Sequence, residues 1–138
     1  ATVGTRVRRA LDAARTASVN GDGNFRHGAA LFRGGSIHGV AANASRPLQW
    51  AHNSADRRRA SRELCGHAEL AALNLFVRRD RAAIDGADLA VCRINRAGEL
   101  RLSAPCAMCV ANLRRFGVKR VFFSAGGDLG GGVRLRNG

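Results

Sequence analysis

The chain has 138 residues, 46% of them hydrophobic, which suits one domain with a single core and excludes a disordered polypeptide. No apolar run is long enough to span a membrane and no secretory leader pattern is present, so the expectation is an intracellular, cytoplasmic protein with no membrane partner. The formal net charge of +13 implies polyanionic company or a phosphate-bearing substrate, although an arginine excess with Lys119 as the one lysine also fits coding bias.

In chain order, residues 5–17 place Val7, Ala10, Leu11 and Ala14 on one stripe among arginines, which predicts an amphipathic first helix. The stretch SVNGDGN ends it. Two β-rich runs follow, FRHGAALF and SIHGVAAN, flanking Arg33-Gly34-Gly35 as a hairpin, with Gly28 and Gly39 weakening the strands. The small residues Gly28, Ala29 and Ala30 allow either a close backbone approach to a pocket or a tight strand-to-helix contact. His27 is a candidate substrate contact. Asn43 ends the second run, either as a loop entry or as an amide that both donates to and accepts from a ligand.

Residues 44–64 form a long connection of the kind that is commonly functional. Trp50 and His52 can build a stacking wall for a base, or Trp50 can plug a core edge; Arg57, Arg58 and Arg59 can contact phosphate, or form a solvated helical turn. Next comes Cys65-Gly66-His67-Ala68-Glu69-Leu70, opening a helix-spaced apolar run. After the charged connector VRRDRAAIDGAD, with a turn at Gly86, LAVCRI reads as a buried strand holding the thiol of Cys92. Gly98 marks a hairpin-like turn before ELRLSA. Pro105-Cys106-Ala107-Met108-Cys109 then starts a second helix ending near Gly117, VKRVFFSA is a core strand, and VRLR is a short antiparallel edge strand or part of a frayed glycine-rich tail.

Cys106 and Cys109, three residues apart in one helical turn, can present two thiolates in the same direction, and His67 supplies a neutral imidazole. Three protein ligands leave one zinc position for water, the pattern of a catalytic centre. Zinc lowers the pKa of such water to about 7. Glu69 is then the proton carrier: it takes the proton from water, protonates a ring nitrogen and later the leaving amine. A purely structural zinc site normally has four protein ligands and leaves Glu69 without a role. Cys65 is a substitute ligand or a core thiol, and the cysteine usage favours a reducing compartment.

His67-x-Glu69 followed by Pro105-Cys106-x-x-Cys109 resembles the signature of the zinc-dependent cytidine deaminase-like superfamily. The resemblance implies a single deaminase domain over residues 1–138, a three-layer α-β-α sandwich with a mixed central sheet of about five strands, and Zn2+ between two helix starts. Beginning at Ala1, the chain is consistent with a domain trimmed from a longer protein. In the family, an asparagine at the position of Asn43 contacts sugar or base, the backbone N–H matching Ala68 meets the base carbonyl, and the carbonyl matching Ala104 meets the substrate amine. A helical crossover leads to a parallel last strand in some members, whereas free cytidine deaminases and some toxin-like DNA deaminases have an antiparallel one.

The leading expectation is hydrolytic deamination of cytosine to uracil in single-stranded DNA or RNA or in a cytidine nucleotide. Ala42 stands where free-nucleoside enzymes often carry a carboxylate, which counts against free cytidine deamination in pyrimidine salvage. Ala104 departs from the glutamate usual before Pro-Cys in tRNA adenosine deaminases, the runner-up. A third possibility is an inactive zinc-binding nucleic-acid module. Oligomeric state is not readable from these residues.

Overall fold

Alanine and leucine at helical spacing among arginines produce helix α1 (Thr5–Ser18), with Ala10, Leu11 and Ala14 fully buried on its inner stripe. A computed structural model of the chain describes residues 4–20, 26–43, 72, 80–103, 107–125 and 132–134. Strands β1 (Arg26–Arg33) and β2 (Ser36–Ala42) form the expected antiparallel hairpin, and Gly34 turns it at φ 57°, a conformation that favours glycine. The register shifts after Leu31, which faces Gly39, whereas Phe32 faces Ile37; His38 is therefore the extra residue of a bulge.

Strand β3 (Asp88–Ile94) is buried along nearly its whole length because it is paired on both sides and covered on both faces. It runs antiparallel to β1 and parallel to β5 (Arg120–Phe123). The turn at Gly98 returns the chain as the two-residue strand β4 (Leu100–Arg101) against the end of β3. Helix α2 (Ala107–Arg115) is the crossover that the parallel β3–β5 pair requires. A short 3-10 turn, Arg81–Ala83, lies in the charged connector.

Beyond β5, strand β6 (Gly132–Arg134) pairs antiparallel with it, which decides between the two readings of the tail. The strand order is β2-β1-β3-β5-β6, with β4 on β3, so among the described residues the mixed sheet has six strands where about five were expected. The additional strand is β4, too short to stand out from its turn in the sequence.

Alternation along the strands separates two cores. Ala30, Phe32, Ala90, Cys92, Ile94 and Leu100 face α1, whereas Ala29, Leu31, Leu89, Val91 and Val121 face Ala72, Cys109, Leu113 and Phe116. The result is the expected α-β-α layering. Gly28 belongs to the α1 side: a Cβ there would overlap the carbonyl oxygen of Ala14 and lie 2.5 Å from the nitrogen of Ser18. Its small size therefore serves strand-to-helix packing, the second of the two roles considered for it. At the β3–β5 border, Arg120 grips the buried carboxylate of Asp88 with two hydrogen bonds of 2.9 and 3.1 Å.

Candidate active site

The route of the chain through α2 defines the functional end of the sheet. Before the helix, the Ser103 hydroxyl donates to the Val91 carbonyl (2.9 Å), and its N–H donates to the Ser124 carbonyl (3.0 Å). After the helix, the Lys119 N–H donates to the Ala87 carbonyl (2.8 Å), at the start of β3. Helix α2 thus runs back along β3, and its opening turn belongs to the end where β3 finishes and β1 begins. Four chain steps separate Ser103 from Ala107, a span of at most about 14 Å. In parallel portions of α/β sheets, the carboxyl ends of strands are where ligands bind.

Cys109 is in this opening turn and is fully buried, in the core that also contains Ala29, Val91 and Ala72. A cysteine sulfur in the opening turn of a helix is a suitable soft-metal ligand, and Cys109 holds that position. Cys92, the other described cysteine, does not share that position. It lies on the α1 face, its thiol donates to the Leu11 carbonyl at 3.1 Å, and burial pushes its pKa up to about 12. It is the inert core thiol expected from LAVCRI.

At the same end of the sheet, His27 and Asn43 are joined by two hydrogen bonds. The Asn43 N–H donates to the His27 carbonyl (3.0 Å), and the His27 N–H donates to Asn43 Oδ1 (2.9 Å). The asparagine side chain replaces the next rung of the β1–β2 ladder and is oriented by it. Both residues are half-buried.

Trp50, His52, Arg57, Arg58, Arg59, Cys65, His67, Ala68, Glu69, Ala104 and Cys106 lie outside the described residues. Among the described residues no three His, Cys, Asp or Glu side chains form a metal-binding group, as expected when two of the three proposed ligands are not among them. No helix among the described residues is long and apolar enough to cross a membrane.

Sequence reasoning did not single out Arg93, Arg101, Ser103 or Ser124. Ser103 and Ser124 are buried, with their hydroxyl oxygens 2.9 Å apart. The Ser124 hydroxyl donates to the Arg101 carbonyl (2.7 Å) and accepts from the Arg93 N–H (3.1 Å), tying together β3, β4, the end of β5 and the approach to α2. The only sequence signal was two serines bordering apolar runs, which alone reads as turn chemistry.

The family described as the cytidine and deoxycytidylate deaminase zinc-binding region matches residues 4–125. No curated protein matches the chain.

Proposed function

The chain belongs to the cytidine and deoxycytidylate deaminase zinc-binding family, and from that premise we propose that it hydrolyses cytosine to uracil and ammonia in a phosphate-bearing substrate. The substrate class is single-stranded DNA or RNA, or a cytidine nucleotide. The observation that carries this reading is the placement of Cys109 in the opening turn of α2, at the same sheet end as the His27–Asn43 pair.

Zinc is the family's metal, and the donors His67, Cys106 and Cys109 fit it: one imidazole and two thiolates, with a position left for water. When bound, zinc makes that water acidic enough to supply a nucleophile near neutral pH. Glu69 accepts the water proton, delivers one to the ring nitrogen and then protonates the departing amine. A C–O bond forms at C4 of the base, the exocyclic C–N bond breaks, and ammonia leaves. The N–H of Ala68 holds the base carbonyl, and the carbonyl of Ala104 accepts from the amine. Asn43 and His27 meet the sugar, Trp50 and His52 stack on the base, and Arg57, Arg58 and Arg59 contact phosphate.

Three features support cytosine on a phosphate-bearing substrate. Ala42 supplies no carboxylate for a free ribose, Ala104 replaces the glutamate usual in tRNA adenosine deaminases, and the net charge is +13. The antiparallel β6 is a topology of both free cytidine deaminases and some toxin-like DNA deaminases, so it does not choose between these substrates. The test is incubation of the zinc-loaded protein with a cytosine-containing single-stranded oligonucleotide. Uracil and ammonia are expected in equal amounts, and none from a Glu69→Gln variant that still holds zinc. Turnover by Glu69→Gln, or conversion of adenine in place of cytosine, contradicts the reading.

A further inference from the structure

Sheet register aligns four polar residues in one row at the functional end: Asn43 beside His27, His27 opposite Arg93 on β3, and Arg93 opposite Arg101 on β4. Directly opposed residues project from the same face of a sheet. His27 shares the parity of Ala29 and Leu31, and Arg93 that of Leu89 and Val91, all of which pack in the core containing Cys109. The row therefore belongs to the α2 face, one position beyond the Ala29–Val91 layer. It spans three strand spacings, about 14 Å, comparable to a nucleotide with a neighbouring phosphate.

We propose that Arg93, flanked by Arg101, forms a phosphate-binding subsite for the cytosine nucleotide and determines specificity for a phosphate-bearing substrate. This rests on the deaminase reading for the identity of the base, not for the phosphate chemistry. His27 directs its N–H toward Asn43, and Arg93 directs its N–H toward Ser124, so the two form a non-hydrogen-bonded pair. In such pairs the Cα atoms are about 4.5 Å apart and the side chains are closest. A ligand held by Asn43 and His27 is thus within reach of the Arg93 guanidinium.

The pair Arg93–Arg101 also places like charges directly opposite each other, an arrangement that costs stability in an antiparallel pair. The carboxylate of Glu99 lies 3.6 Å from Arg101 in a partly exposed pair, an interaction that water weakens. An anion between the guanidiniums removes the repulsion. Guanidinium forks match phosphate oxygens, and their backbones are already fixed here, since one Ser124 hydroxyl bonds both the Arg93 N–H and the Arg101 carbonyl. The Arg93 guanidinium also donates to the Leu102 carbonyl at 3.3 Å, which restricts its direction.

The test compares the zinc-loaded wild-type chain with Arg93→Gln, Arg93→Lys and Arg101→Gln. Binding of a single-stranded oligonucleotide and of deoxycytidylate is measured across a salt series, with denaturation midpoints recorded for every variant. Arg93→Gln is expected to weaken oligonucleotide binding about tenfold or more and to lower the salt slope by about 0.7, one phosphate's worth on a single strand. Arg93→Lys keeps the slope, which a purely structural role does not explain. Arg101→Gln lowers it as well, and stands as the test should Arg93→Gln fail to fold.

Weakening of both ligands assigns the subsite to the nucleotide's own phosphate; weakening of the oligonucleotide alone assigns it to a flanking phosphate. Wild-type affinity and slope in folded Arg93→Gln and Arg101→Gln overturn the proposal. A wild-type protein that forms no uracil, yet whose slope falls in Arg93→Gln, refutes the deaminase reading and leaves the phosphate subsite standing.

Discussion

Asn43 Oδ1 accepts the backbone N–H of His27 at 2.9 Å, so a side chain proposed to touch substrate also closes the last rung of the β1–β2 ladder. The two roles separate by substitution. Asn43→Ala is expected to lose about 1 kcal/mol of stability together with activity, because a half-buried amide hydrogen bond disappears. Asn43→Asp keeps an acceptor for the His27 N–H but loses the amide donor. It is expected to retain most of the stability and to lower kcat/KM. A fully active Asn43→Asp enzyme confines Asn43 to the ladder.

Gly28 sets how closely α1 approaches β1. In Gly28→Ala the new methyl group meets the backbone at Ala14 and Ser18, and backbone cannot rotate out of the way as a side chain can. Overpacking of this kind costs about 1–3 kcal/mol. Denaturant unfolding is expected to show a loss of that size or larger, and an unchanged midpoint shows that the helix can lift off the strand.

Much of this architecture was legible in local sequence signals. The stripe Ala10, Leu11, Ala14 marked α1, Arg33-Gly34-Gly35 the hairpin and LAVCRI a buried strand, because periodicity and turn chemistry are properties of adjacent residues. The five-position metal motif pointed to the family, which the match over residues 4–125 shows. The row Asn43–His27–Arg93–Arg101 was not legible, because it exists only once β1 pairs with β3 in one particular register, and pairing between distant segments leaves no local trace. The hydrogen bond from the Ser124 N–H to the Ser103 hydroxyl is hidden for the same reason, its partners lying 21 positions apart in the chain. Gly28 allowed two readings until the position of α1 decided between them.

Cys92 provides a pH-dependent signature. Burial raises its thiol from the ordinary 9.0 to about 12, with a smaller opposing influence from Arg15 and a raising one from Asp12. Above pH 9.0 the unfolded chain releases this proton while the folded chain keeps it, so the unfolded state gains. The Cys92 contribution is therefore intact below pH 9.0 and is lost progressively as pH rises toward about 12. Stability curves of the wild type and Cys92→Ala are expected to differ in slope within that window. Parallel curves contradict the burial effect, as does rapid alkylation of Cys92 in the folded protein at neutral pH.

The metal assignment makes a separate demand. His67→Ala and Cys106→Ser are expected to lose zinc and to unfold at lower denaturant, because metal binding contributes directly to folding. Glu69→Ala should retain zinc and fold yet lose turnover. Stoichiometric zinc in purified His67→Ala or Cys106→Ser, measured by metal analysis, removes that residue from the ligand set.

The most direct measurement is a zinc-loaded deamination assay in parallel reactions on single-stranded DNA, its RNA counterpart, deoxycytidylate, free cytidine and a tRNA anticodon stem-loop, with products identified by mass. Uracil formed from the phosphate-bearing cytosine substrates, with free cytidine poorly used and no inosine in the stem-loop, is the expected result. Efficient conversion of free cytidine alone contradicts the phosphate-bearing substrate class and reduces the excess arginine to composition, and inosine formation alone transfers the activity to adenine.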